Sequence, residues 1–272
     1  MPGDYTYCTT LVEAVRRDRD SVSERVTEVM LWDELVVREE GDRWLRVSVP
    51  AQADYSGWVP RATTAVGTRP MGEPGVVFAA CAPLSPAGDE PGTCCGVLSM
   101  GSRVWLASET GATTIVGGPD GRQYVVPSRC IRAGEVADRG ALAADRALAL
   151  VGRPYLWGGM TFRGIDCSGL VQVALSTAGI TVRRDADMQY EDGLPVERDD
   201  VRPGDTAYVE HDGRIAHVMM VTGPDSVVHA YGQSADVTVS ALSDDGFAGH
   251  IAGFRRHTET MGFSPLRYGA MG

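Results

Sequence analysis

The sequence predicts an α+β domain preceded by two small all-β barrels. Three observations predict it. Residues 1–134 run in short apolar-alternating stretches between turns rich in Gly, Pro and Asp. Those stretches come in two similar copies. Helical periodicity then begins near Gly134, ahead of a further set of apolar strands. A chain of 272 residues holds two or three small domains. The expected boundaries are 1–66, 67–134 and 135–260, with 261–272 as a C-terminal tail.

In the first copy, residues 26–37 and 43–49 read as strands around the turn Glu39-Glu40-Gly41-Asp42, followed by Tyr55-Ser56-Gly57-Trp58-Val59-Pro60. In the second, 103–107, 113–116 and 123–126 read as strands, and Tyr124-Val125-Val126-Pro127 echoes Gly57-Trp58-Val59-Pro60. Two barrels joined near 66–75 account for the repeat. The Pro/Gly-rich segment 82–96 is expected to be a surface loop.

Residues 142–151 carry Ala/Leu-rich helical periodicity, stopped by Gly152 and Pro154. A glycine-bearing loop follows, Tyr155-Leu156-Trp157-Gly158-Gly159-Met160. Residues 166–179 then read as a buried helix closed by Gly179. Downstream, 205–209, 216–221, 226–230 and 249–255 read as strands, which makes this part α+β.

Charge and composition exclude several classes of function. Net charge is −11 and there is no basic run, so nucleic acid and anionic membrane are poor partners. No run of 18 apolar residues exists, so membrane insertion is not expected. The N-terminus has neither the basic start nor the apolar run of a secretory signal, which points to the cytoplasm, or to export only if a signal has been removed. The six cysteines form no CxxC pair and lack zinc-like spacing, so they are expected to be free thiols. Neither a metal nor a cofactor is expected. All 25 basic residues are Arg, and the chain has no Asn.

Chemistry concentrates on one cysteine and two histidines. Asp166 suits an N-cap, which places Cys167 in the first helical turn, where the helix N-terminus favours the attacking thiolate. The plainer alternative is a core cysteine. Gly158, Gly159 and Gly164 favour the first reading, because they let a substrate backbone approach. His217 opens the apolar run Val218-Met219-Met220-Val221, and His229 lies within Val227-Val228-His229-Ala230. Two imidazoles on core strands can face each other, one orienting the other as base and orienter in a nucleophilic set. Two satisfied core histidines, or a metal site, are the alternatives. His211 and His257 read as solvated, and His250 lacks a clear partner. An orienting Asn is excluded, because the chain has none, which leaves His229 or an acidic residue as the third member.

These residues resemble the NlpC/P60 family of cell-wall cysteine peptidases over about 141–257. The resemblance rests on Arg153-Pro154-Tyr155-Leu156-Trp157-Gly158-Gly159, Asp166-Cys167-Ser168-Gly169-Leu170-Val171, Arg202-Pro203-Gly204-Asp205, Ala216-His217-Val218 and Val228-His229-Ala230. It implies a papain-like catalytic domain with Cys167 as nucleophile, His217 as base, His229 as the third residue and Tyr155 beside the nucleophile. Residues 1–134 resemble bacterial SH3 domains. The combined arrangement is similar to γ-D-glutamyl-L-diamino acid endopeptidases of the dipeptidyl-peptidase VI type. That implies hydrolysis of the γ-D-Glu–diamino acid bond in murein peptides with a free N-terminal L-Ala, in cell-wall recycling. The implied substrate-binding residues are Asp185, Ser168, Asp166 and Trp157, with Tyr55 and Glu34 from the first module. Family members often carry Gly where this chain has Met219; the larger side chain either narrows the pocket or repacks the strand. An exported enzyme acting on intact peptidoglycan and a non-catalytic wall-binding protein are the competing readings.

Overall fold

The structure is a computed structural model that describes residues 4–88, 93–232, 235–244 and 246–258. The chain divides into two compact units, Met1–Gly134 and Glu135–Gly272. The segment 261–272, expected as a tail, lies outside the described residues.

The first unit holds two seven-stranded antiparallel sheets, each compatible with an SH3-like barrel. Across the first sheet the order is Arg25–Met30, Val12–Arg16, Tyr55–Pro60, Trp44–Val49, Glu34–Glu40, Asp4–Cys8 and Thr64–Thr68. Its core is Val15, Val29, Leu35, Val47, Val49 and Val59. Alternation explains the packing: Leu45 and Val47 are buried while Arg46 between them is exposed. Across the second sheet the order is Gly96–Ser99, Cys81–Pro86, Gln123–Pro127, Thr113–Gly117, Arg103–Thr110, Glu73–Val77 and Ile131–Arg132.

Two expectations are corrected here. Residues 26–37 are not one strand but two, broken by a turn in which Trp32 adopts φ 71°. Asp33 closes that turn, its carboxylate accepting the Met30 N–H at 2.8 Å. A left-handed backbone costs a tryptophan of the order of 1 kcal/mol. The ring is only 3% exposed, packed at 5.1 Å from the Tyr124 ring within the core of the second sheet. Burial of so large a side chain offsets the strain. Segment 82–96 is not all loop, because Cys81–Pro86 pairs with Gly96–Ser99. Ala82 and Leu84 alternate inward into that core, which a loop would leave in water.

The second unit begins with α1 (Arg139–Leu148), three residues earlier than the periodicity suggests. Asp138 caps it, accepting the Ala141 N–H at 2.9 Å. Helix α2 (Cys167–Thr177) is buried nearly all round, and Gly179, at φ 76°, ends it. Helix α3 (Ala186–Asp192) is too short for its periodicity to show in the sequence. The antiparallel sheet runs Leu194–Val196, Ile251–Arg256, Thr206–His211, Arg214–Gly223, Ser226–Tyr231 and Asp236–Ala241. Helices α1 and α2 pack on each other and on Arg214–Gly223 and Ser226–Tyr231. The last strand, Asp236–Ala241, was not expected from its mixed composition.

Candidate active site

The start of α2 is held by one carboxylate. Asp166 accepts the Gly169 N–H at 2.7 Å as helix cap and, through its other oxygen, the Gly158 N–H at 2.8 Å. The loop before the helix is thereby tied to the helix start. The approach is so close that a Cβ on Gly169 would stand 2.4 Å from the Gly159 carbonyl oxygen, which only glycine permits. Arg184 completes the arrangement. Its guanidinium donates to both Asp166 oxygens, at 3.0 and 2.7 Å, and to Ser168 Oγ at 2.7 Å. The Arg184 side chain is 1% exposed, so its charge is balanced inside the protein by Asp166. Gln189 of α3 adds a bond from its amide to the Ser168 carbonyl.

Cys167 is the first residue of α2. Burial, reinforced by the Asp166 charge, pushes its thiol up to about 12; N–H groups of Val218 and Ser168 and the Arg184 charge oppose the rise. The helix N-terminus alone was expected to favour thiolate, but desolvation outweighs it in the resting site. The Val218 N–H at the sulfur places the residue after His217 against the nucleophile.

His217, on Arg214–Gly223, and His229, on Ser226–Tyr231, are brought together: His217 Nε2 lies 2.9 Å from His229 Nδ1. Backbone pairing between their strands is confined to Met220↔Val228, Val221↔Val227 and Gly223↔Ser226. The imidazoles lie beyond the paired stretch, with ring centroids 5.1 Å apart. His229 Nε2 in turn bonds Ser240 Oγ at 3.0 Å. Tyr231 and Phe247 pack their rings on both imidazoles. Burial, then the neighbouring His229 and His211, lowers His217 to about 3. Burial lowers His229 to about 4, against an opposing pull from Asp244. Both rings are therefore neutral near pH 7.

Tyr155 feels the Cys167 and Asp166 charges, and burial is the larger cause that raises its phenol to about 12. Its hydroxyl stays protonated and able to donate. Trp157 is 63% exposed on the same loop. Asp185 stands half-buried at the start of α3, where its side chain does not cap the helix. Met219 is fully buried against Ala207, Val209, Val221, Phe247 and Phe254, so its bulk repacks the sheet core. Glu34 and Tyr55 belong to the first unit, and the register (Leu35 in line with Val49 and Tyr55) puts them on opposite faces of its sheet. Glu34 is ion-paired with Arg69.

His257 corrects an expectation. It is not solvated but 8% exposed, its Nε2 bonded to Thr206 Oγ1 at 3.2 Å and Tyr208 OH at 3.1 Å. His250 finds a partner in His211, with ring centroids 4.9 Å apart. Sequence reasoning missed Arg184 and Ser240. Arg184 sits in Arg183-Arg184-Asp185, which reads as a solvated charge run; the apolar Ile180-Thr181-Val182 just before it was the available signal.

The depressed histidines set an acid limit. Burial lowers His217, His229 and His257, the last to about 4. Unfolded histidines take up protons near 6.5, which the native rings refuse, so the unfolded state binds more protons below that pH. The stabilisation is present above 6.5 and is lost as pH falls toward the folded values. The midpoint of thermal unfolding is expected to drop between pH 7 and pH 5; a flat profile would mean that these rings are not buried in neutral form.

Helix-borne cysteine, paired histidines and the tied Gly158–Gly159 loop all lie in one continuous stretch of chain. Residues 152–256 match the NlpC/P60 family. Members of the family are peptidases or hydrolases. The chain is 32% identical over 110 residues to the gamma-D-glutamyl-L-lysine dipeptidyl-peptidase of Bacillus cereus, covering 39% of this chain and 33% of that protein. It is 31% identical over 121 residues to the murein DD-endopeptidase MepH of Escherichia coli, covering 42% of this chain and 45% of the relative. The chain thus spans less than half the length of these curated relatives. A crystal structure of an NlpC/P60 family protein from Bacillus cereus superposes with a TM-score of 0.82 over 94% of this chain and 99% of that chain, at 21% identity. That likeness shows the fold, over both units.

Proposed function

We propose that the chain is a cysteine peptidase that hydrolyses the γ-D-Glu–diamino acid bond of murein peptides carrying a free N-terminal L-Ala, in cell-wall recycling. One observation carries the peptidase chemistry. His217 Nε2 is taken by His229 at 2.9 Å, which leaves Nδ1 for the thiol, and the next residue's N–H lies at the Cys167 sulfur. A neutral thiol beside a neutral imidazole reacts by passing its proton as it attacks. The Cys167 sulfur bonds the scissile carbonyl carbon while His217 Nδ1 takes the proton. The oxyanion is held by the Cys167 backbone N–H and by the Tyr155 hydroxyl. His217 returns the proton to the leaving amine, then takes one from water, which attacks the thioester and regenerates the thiol.

The substrate reading is supported by the dipeptidyl-peptidase named above and by where the carboxylates stand. Asp166 is committed to Arg184 and to two backbone N–H groups. Asp185, half-buried at the start of α3, is the carboxylate assigned to receive a substrate ammonium, with Ser168, the residue after the nucleophile, assigned to the same substrate end. Trp157 would offer an open face to the rest of the peptide. A second reading, endopeptidase action on intact murein, is favoured by the similarity to MepH.

Product mass spectrometry separates the two. L-Ala-γ-D-Glu-diaminopimelate, its N-acetylated form and intact murein are incubated with the protein in parallel. The free peptide is expected to release L-Ala-D-Glu, and acetylation to slow release by about 10²-fold or more, because a site built for a polar group rejects the analogue lacking it. Equal rates for blocked and free peptides would remove the amine-recognition reading. Cleavage of intact murein alone would favour the second.

A further inference from the structure

We propose that the His217–His229 pair is completed by Ser240, a positioning residue whose hydroxyl accepts the His229 Nε2 proton and so decides which nitrogen of His217 is free to act as base. The proposal rests on the peptidase reading, but its test needs no substrate.

Protons can be placed along this relay in only a few ways. His217 Nε2 lies 2.9 Å from His229 Nδ1, and His229 Nε2 lies 3.0 Å from Ser240 Oγ. Each neutral imidazole has one donor and one acceptor nitrogen. Only two arrangements satisfy both bonds. In one, Ser240 donates to His229 Nε2, His229 Nδ1–H donates to His217 Nε2, and the His217 proton sits on Nδ1. That His217 cannot take a proton from a thiol. In the other, His217 Nε2–H donates to His229 Nδ1, and His229 Nε2–H donates to Ser240 Oγ. The His217 Nδ1 lone pair is then free. Once His217 is protonated, both its nitrogens carry hydrogen, and only the second arrangement still offers His229 Nδ1 as acceptor. Ser240 as acceptor is therefore the state the chemistry requires.

The fold places Ser240 for this task. It lies on Asp236–Ala241, in register with Val227, while His229 is in register with Thr238 two residues away; His229 and Ser240 thus project from one face of neighbouring strands. The charges around the relay point the same way. Asp244 is the carboxylate that raises His229, and its Oδ2 accepts the N–H of Ala241, the residue after Ser240. Its negative potential lies at the Ser240 end and draws protons toward it. At the opposite end His217 faces His229 and His211, and the Cys167 sulfur is flanked by Asp166 and Arg184.

Two measurements on the full chain test this. The first is the tautomer of His229, read from long-range ¹H–¹⁵N correlations of ¹⁵N-histidine-labelled protein at neutral pH. The wild type is expected to carry the proton on Nε2, and Ser240→Ala to move it to Nδ1. The second is the pH dependence of iodoacetamide alkylation at Cys167, followed by mass spectrometry of the tryptic peptide 164–183, which contains no other cysteine. Ser240→Ala is expected to slow alkylation at pH 7 by about tenfold and to shift its pH profile upward, whereas Ser240→Thr, which keeps the hydroxyl, stays within about twofold of wild type. An Nδ1 proton on wild-type His229 overturns the proposal, and so does a Ser240→Ala variant unchanged in tautomer and alkylation profile. Should Ser240→Ala not fold, the wild-type tautomer decides. A protein that shows the Ser240 effect but cleaves no murein peptide upholds the relay and rejects the substrate reading instead.

Discussion

Replacing Cys167 by Ala is expected to abolish turnover of a murein peptide, by at least ~10³-fold, while thermal unfolding stays within about 1 kcal/mol of wild type. The two halves have separate causes. The sulfur is the only atom in the proposed step that bonds the substrate, and neither His217 nor Tyr155 can replace it as nucleophile. Stability is spared because the anchor of the helix start is Asp166, not Cys167. Alanine is also the best helix former. The check pairs a product assay with a melting curve on the same sample. Activity within tenfold of wild type would remove Cys167 from its assigned role, and loss of the fold would mean that the thiol is structural.

The second large effect is one of stability. Asp166→Ala is expected to cost about 3–5 kcal/mol, because it strands a buried guanidinium without its counter-charge. The Arg184 side chain is 1% exposed, so water does not take the place of the lost carboxylate. Two backbone donors, Gly158 N–H and Gly169 N–H, lose their acceptor as well, and the helix loses its cap. A double variant separates the charge from the cap. Asp166→Ala with Arg184→Met removes both charges, so it should recover part of the loss, although it carries one more substitution. Urea unfolding of the two single variants and the double variant measures this. A double variant no more stable than Asp166→Ala would show that the missing cap and N–H acceptor, rather than the stranded charge, carry the cost.

Much of the site was legible because its parts announce themselves locally. Asp166 followed by an apolar run reads as a capped buried helix, and α2 begins at Cys167. An imidazole at the head of Val218-Met219-Met220-Val221, and another within Val227-Val228-His229-Ala230, cannot both be buried without partners, and they partner each other. Arg184, Ser240 and His257 were not legible, for a single reason. Each is a polar residue whose sequence neighbours are ordinary, and its partner is a group far along the chain: Asp166 for Arg184, His229 for Ser240, Thr206 and Tyr208 for His257. Trp32 escaped for a related reason. An apolar run shows that residues are buried, not that the backbone reverses between them to send one ring into a second core.

By itself the sequence determined the change from strands to an α+β part, the capped helix that presents Cys167 and the two apolar strands that carry His217 and His229. These follow from periodicity and capping, which act over a few residues. Only the tertiary structure decided that Asp166 would be bound to Arg184, that Met219 would fill a core, and that a hydroxyl from the last strand would reach His229. Periodicity says which way a side chain points; what waits there depends on which distant segment packs against it.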